Sequence, residues 1–135
     1  MALPNGAGGY QLGDGNLNEV TLGYQAAPQS VTATATLTAA QVASGVLLVG
    51  SGATAAQTYT LPTGASLDAL VSSAKVNSTF ELVLVNLGTS SGTATLAVGT
   101  GVSDGGNALV AVAVTASARF LFRRTGDATY VVYRV

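Results

Sequence analysis

From Val20 to Leu67 the chain runs for 48 residues without one Asp, Glu, Lys or Arg. A freely diffusing domain keeps charges of both signs spread over its surface, which holds it in solution and apart from its own copies. Over the whole chain charged residues make up only 8%, against about 25% in an average globular domain. A chain of this kind can still fold, but much of its surface is expected to be covered by partners. The absence of His and Cys also removes the commonest general base and the strongest nucleophile, both of them major metal ligands. The expected role is therefore structural rather than enzymatic.

At 135 residues the chain suffices for one domain with its own core. Its apolar residues are interleaved with Thr, Ser and Gly. The longest clean run, Val46–Val49, sits between Gly45 and Gly50, whereas a spanning helix needs about 20 such residues, so no membrane partner is expected. Met1–Gly6 has no basic start leading into an apolar stretch, so no signal peptide is expected. A net charge of −1 with one lysine, Lys75, offers nothing to neutralise phosphates, so no nucleic-acid partner is expected either.

Residues 1–29 differ from the rest. Asn5–Gly9 and Gly13–Asn16 are turn and coil sequence. The apolar residues Leu3, Tyr10, Leu12, Leu17, Leu22 and Tyr24 stand singly, with no period that would bury them together. This reads as an extended N-terminal arm, with a short strand over Glu19–Tyr24, whose apolar residues are the arm's candidate partner contacts.

From Ser30 to Val135 the pattern is that of a β domain. Val31, Ala33, Ala35 and Leu37 alternate with hydroxyl residues. Thr38-Ala39-Ala40-Gln41 spells a capping box and predicts one helical turn, followed by a strand at Val46–Val49. Thr58–Leu61 reads as a strand stopped by Pro62. Leu67, Leu70, Val71 and Ala74 share one helical face and predict a short helix over Ser66–Ala74, with Asp68 in its first turn. Strands are predicted at Phe80–Leu87 (central), Thr93–Val98, Ala108–Thr115, Ala118–Arg124 and Thr129–Val135. Asp104–Asn107 is predicted to be a turn. Short strands spaced by turns, without alternating helices, imply an all-β antiparallel sandwich or jelly roll.

The last two strands invite a register. With Gly126-Asp127 as a two-residue loop, Phe120, Phe122, Val131, Tyr133 and Val135 face the core. Arg119, Leu121, Arg123, Tyr130, Val132 and Arg134 then face outward. Arginine and tyrosine among aliphatic neighbours is the composition of protein contact surfaces, so Arg119, Leu121, Arg123, Tyr130 and Arg134 are the second set of candidate partner-binding residues.

Catalytic and metal sites are not expected. The six carboxylates, Asp14, Glu19, Asp68, Glu81, Asp104 and Asp127, show no pairing of the kind a glycosidase needs. Gly99-Thr100-Gly101 has no following helix and no nearby lysine, so it is a loop and not a phosphate cradle. Ser and Thr lack a histidine or activating lysine partner. Asp104–Asn107 falls far short of a calcium-binding ligand count. No cofactor is implied.

Three stretches carry a resemblance: Ala35–Val42 (ATLTAAQV), Thr58–Gly64 (TYTLPTG) and Phe80–Asn86 (FELVLVN). In this order, with a helix between the last two and a closing Arg/Tyr-bearing strand pair, they resemble head decoration (cement) proteins of tailed bacteriophages over about residues 36–135. The resemblance implies a β-sandwich or jelly-roll domain on the outer surface of the virion's capsid. Its partners would be the major capsid protein and its own copies, as a dimer or trimer. A carbohydrate- or receptor-binding sandwich of a phage tail or spike is the alternative. The lack of Trp weighs against it, because sugar sites favour exposed aromatic rings.

Overall fold

The computed structural model describes residues 22–135; Leu3, Tyr10, Leu12, Leu17 and the start of the strand expected at Glu19–Tyr24 lie outside the described residues. Leu22–Pro28 has no regular secondary structure. The described chain is mostly β, with strands β1 (Gln29–Val31), β2 (Ala35–Thr36), β3 (Val46–Val49), β4 (Gln57–Thr60), β5 (Thr79–Asn86), β6 (Ala94–Ala97), β7 (Val102–Gly106), β8 (Ser117–Gly126) and β9 (Thr129–Arg134). Two short helices, α1 (Ala39–Val42) and α2 (Gly64–Leu70), interrupt them. One sheet has six strands in the order β1-β3-β5-β8-β9-β7, the other three in the order β2-β4-β6.

The first six strands alternate between the two sheets. Each connection therefore carries the chain to the other sheet and not back to the same one. When the chain returns, it runs in the same direction as before. This makes β1–β3, β3–β5, β2–β4 and β4–β6 parallel, and β7–β9 is parallel too. Only β5–β8 and β8–β9 are antiparallel. The expected antiparallel arrangement is thus corrected: short turn-rich loops suggest hairpins, but most of them are arches between the two sheets. Two of the arches match in length. Val46 pairs with Val83 and Thr60 with Ala97 at one constant offset, a structural repeat that the residues do not display, since Val49 aligns with Asn86 and Tyr59 with Leu96.

Local signals hold where they depend on near neighbours. Thr38 accepts from the Gln41 N–H and the Gln41 side chain accepts from the Thr38 N–H, the full capping box. Thr63 caps α2, and the helix stops at Leu70, short of the expected Ala74. The strand expected over Ser30–Leu37 is split at Thr32–Thr34, and its halves belong to different sheets. Ala108–Thr115 is not a strand; it makes one bridge, Ala94 to Val112. Side chains add to the bonds on its carbonyls: Arg134 donates to the Val110 oxygen, and Asn86 joins the Ala94 and Ala116 N–H groups on those of Val112 and Ala113. Asp104–Gly106, expected as a turn, lies in β7, with a bulge between Asp104 and Gly106.

Both sheets contribute to one core. Leu37, Tyr59, Leu61 and Leu96 meet Leu47, Val49, Leu82, Leu84, Phe120, Phe122 and Val132 in a single buried cluster. Each such side chain contributes about 1.5–3 kcal/mol on burial. Phe80 stacks on Phe122 with ring centroids 4.9 Å apart.

Candidate interaction surface

Side chains of the large sheet alternate between the core and an outer face. On that outer face Val46 lies beside Val83 and Leu48 beside Val85. Across the antiparallel ladders Glu81 opposes Leu121, Val83 opposes Arg119, Leu121 opposes Tyr133, and Arg123 opposes Val131. The aliphatic members and Tyr133 are all half-buried. The result is an apolar strip several strands wide that no other described element of the chain covers. Its charges are few. Arg119 and Glu81 stand 3.8 Å apart with both side chains more than half exposed, a pair that contributes little to stability. Arg123 is held in place: its Nε and Nη2 donate to the Tyr133 hydroxyl at 3.2 and 2.9 Å, and its Nη1 donates to Asn77 Oδ1 at 2.9 Å. Two aliphatic pairs side by side and a fixed arginine–tyrosine unit make this face suited to contact with another flat protein surface.

Of the residues expected here, the structure brings together Arg119, Leu121 and Arg123 and removes two. Tyr130 is buried and 2% exposed. Arg134 points to the opposite side, donating to the Val110 carbonyl at 3.1 Å. The cause is a one-residue slip. The hairpin turn is Asp127-Ala128 and not Gly126-Asp127, and a bulge at Thr125 takes up the extra residue. In a strand such a slip exchanges the two faces. Val131 and Tyr133, expected in the core, therefore reach the outer face, while Tyr130 and Val132 go inward. Val135, also expected inward, is exposed. A Gly126-Asp127 loop would set Arg119 opposite Arg134; in the structure Arg134 pairs with Phe120. Leu22 and Tyr24, of the arm set, are fully exposed.

The turn is held by Asp68. Its Oδ1 accepts from Arg124 Nε and from the Tyr130 hydroxyl, both at 2.8 Å. Its Oδ2 accepts from the Ala128 N–H at 2.7 Å and from Arg124 Nη2 at 3.1 Å. Arg124 also donates to Asp127 at 3.0 Å. With four donors on it, the Arg124 guanidinium foremost, the Asp68 carboxyl sits well below the usual carboxylate range. Burial and the neighbouring carboxylate push the Tyr130 phenol up to about 12, so it remains a donor throughout the neutral range. A carboxylate so fully engaged is a poor general acid or base at neutral pH, and the cluster reads as a latch tying α2 to the hairpin. Among the described residues, no three His, Cys, Asp or Glu side chains converge to hold a metal ion.

The latch seats so closely that α2 begins with a glycine. A Cβ at Gly64 would run into the Ala128 carbonyl. Gly64→Ala is expected to lower stability by about 2–3 kcal/mol through backbone displacement, read as a lower urea midpoint at unchanged slope.

Comparison with protein-family models, with curated proteins and with solved structures gives no match.

Proposed function

We propose that this is a non-enzymatic structural protein of a bacteriophage virion, a cement protein that binds the outer surface of the assembled head and stabilises it. The observation that carries this reading is the half-buried apolar strip on the outer face of the six-stranded sheet, in a chain with only 8% charged residues. Such a surface is stable in water only at a cost, which docking removes. The motif resemblance supplies the kind of partner, the major capsid protein. The two sheets around one core are read as a two-layer sandwich of mixed pairing, presenting its larger sheet to the shell. Because the protein would bind assembled shell and not free subunits, each contact stabilises the shell by mass action. Many symmetric copies multiply a modest contact.

The test is co-sedimentation of the purified chain with undecorated heads, counting bound copies per shell subunit. Saturation at a fixed ratio, with heads then surviving higher temperature, is the expected result. A chain that stays in the supernatant at all concentrations would refute the reading. The pair Val85→Lys and Leu121→Asp changes only half-buried outward side chains and should leave the fold intact. Each should weaken binding tenfold or more, since about 1.4 kcal/mol of lost contact corresponds to a factor of ten.

A further inference from the structure

At one end of the large sheet lies an open depression of about 220 Å³, lined by Val71, Ser73, Ala74, Ser78, Phe80 and Tyr130, with Thr79 at its edge. Its floor is aromatic: the Phe80 ring stacks on Phe122 and meets Tyr130 edge-on at 6.3 Å. Its rim carries hydroxyls, and none of its lining residues is charged. The volume lies below the roughly 300 Å³ at which small-molecule sites begin, and suits one large side chain with a polar tip.

Such a side chain stands unused at the same end of the fold. Gln25 donates through Nε2 to the Ser44 carbonyl at 2.6 Å, which fixes the strap Leu22–Pro28 to the start of β3. The next carbonyl, that of Gly45, accepts from the Val83 N–H. Phe80 is three residues before Val83 on β5, about 10 Å along the strand. Just outside this anchor, Tyr24 is 94% exposed and Leu22 86% exposed. Tyr24 therefore does not occupy the depression of its own chain, although the strap enters the sheet at the strand ends where the depression lies.

We propose that Tyr24 of one copy inserts into the Val71–Phe80–Tyr130 depression of a second copy, and that the reciprocal insertion closes a two-fold dimer. A tyrosine suits both parts of the site, its ring against Phe80 and its hydroxyl among Ser73, Ser78 and Thr79. Because strap and socket meet the sheet at the same strand ends, a two-fold axis there satisfies both at once. This is an isologous contact that closes and does not propagate. The strap and the socket lining lack opposed charges that would have to be desolvated, and anchoring by Gln25 reduces the ordering cost of the strap. The inference does not depend on shell binding, because it is read in the isolated protein.

The natural chain has no cysteine, so cross-linking is clean. Chains bearing Tyr24→Cys are mixed with chains bearing Ala74→Cys and oxidised mildly, with Val110→Cys chains as the remote control. The expected result is a disulfide-linked pair forming at least tenfold faster with Ala74→Cys than with Val110→Cys. Equal rates would overturn the proposal. In the double variant carrying Tyr24→Cys and Ala74→Cys, a within-chain disulfide at monomer mass would overturn it as well. In sedimentation equilibrium the unmodified chain should be a dimer and Tyr24→Ser should shift to monomer mass; an unchanged mass for Tyr24→Ser would refute the contact. Tyr24 is fully exposed in its own chain, so this substitution leaves the fold in place.

Discussion

Replacing Asn86 by Asp is expected to cost this protein about 4–5 kcal/mol, enough to leave a marginally stable domain largely unfolded at 37 °C. Asn86 is a wholly buried polar side chain at the end of β5. Its amide nitrogen lies 3.0 Å from each of three carbonyl oxygens, those of Gly92, Val112 and Ala113. Its carbonyl oxygen accepts from the Gly88 N–H at 2.8 Å. One side chain thus joins the β5–β6 arch to the 108–115 segment, which has no strand ladder of its own. The change to Asp alters almost nothing in shape, but it sets a carboxylate oxygen against three carbonyls and removes their side-chain donor; Val112 and Ala113 keep the Ala94 and Ala116 N–H groups, and Gly92 loses the donor it had in Asn86. A buried polar group that loses its partner costs about 1–3 kcal/mol, and an unpaired charge costs more. Thermal unfolding should show a Tm lower by about 15 °C at pH 7. Part of the deficit should be recovered at acidic pH, where the introduced carboxyl is protonated and can donate again. A Tm within about 3 °C of the unsubstituted protein would mean that water or another group serves those carbonyls.

The second large effect is acid unfolding governed by the Asp68 latch. Asp68 has a carboxyl pKa held below its unfolded value near 3.9, because Arg124, the Ala128 N–H and Tyr130 all favour the ionised form. A group depressed in this way contributes its stability in full above the unfolded pKa. It loses that contribution as pH falls through the lower folded value. The protein should therefore be insensitive to pH from 7 to about 5 through this group and lose stability steadily below about pH 4. Asp68→Asn should abolish most of that slope. It should also lower the Tm at pH 7 by about 5–10 °C, because Arg124, only 13% exposed, loses its bidentate partner. The measurement is a set of melts of both proteins between pH 2.5 and 7. Parallel curves would show that the acid limb belongs to another carboxylate.

How far the residues announce this fold varies along the chain. The capping box at Thr38, the strand at Val46–Val49 and the central position of β5 are legible because each is set by residues a few positions apart. The small share of charge and the lack of His and Cys are read directly from composition. The final hairpin is legible in its existence but not in its register. In β9, Thr129–Arg134, Tyr130 and Val132 on one face are as apolar as Val131 and Tyr133 on the other, so periodicity offers no choice between them. The choice is made by Asp68, 60 residues away, which binds the Ala128 N–H and the Tyr130 hydroxyl. That contact goes with Tyr130 inward and Val131 and Tyr133 on the outer face, half-buried.

Pairing direction was likewise out of reach of the sequence. A loop of seven residues such as 50–56 serves equally as a hairpin connection or as an arch between sheets. What decides is which of the two sheets the next strand joins around the shared core. By itself the sequence determined a β-rich domain, poor in charge, with its local helix cap at Thr38 in place. Only the tertiary structure decided that successive strands would alternate between two sheets and pair in parallel, and which residues of the last hairpin face outward, because both depend on contacts between segments far apart in the chain.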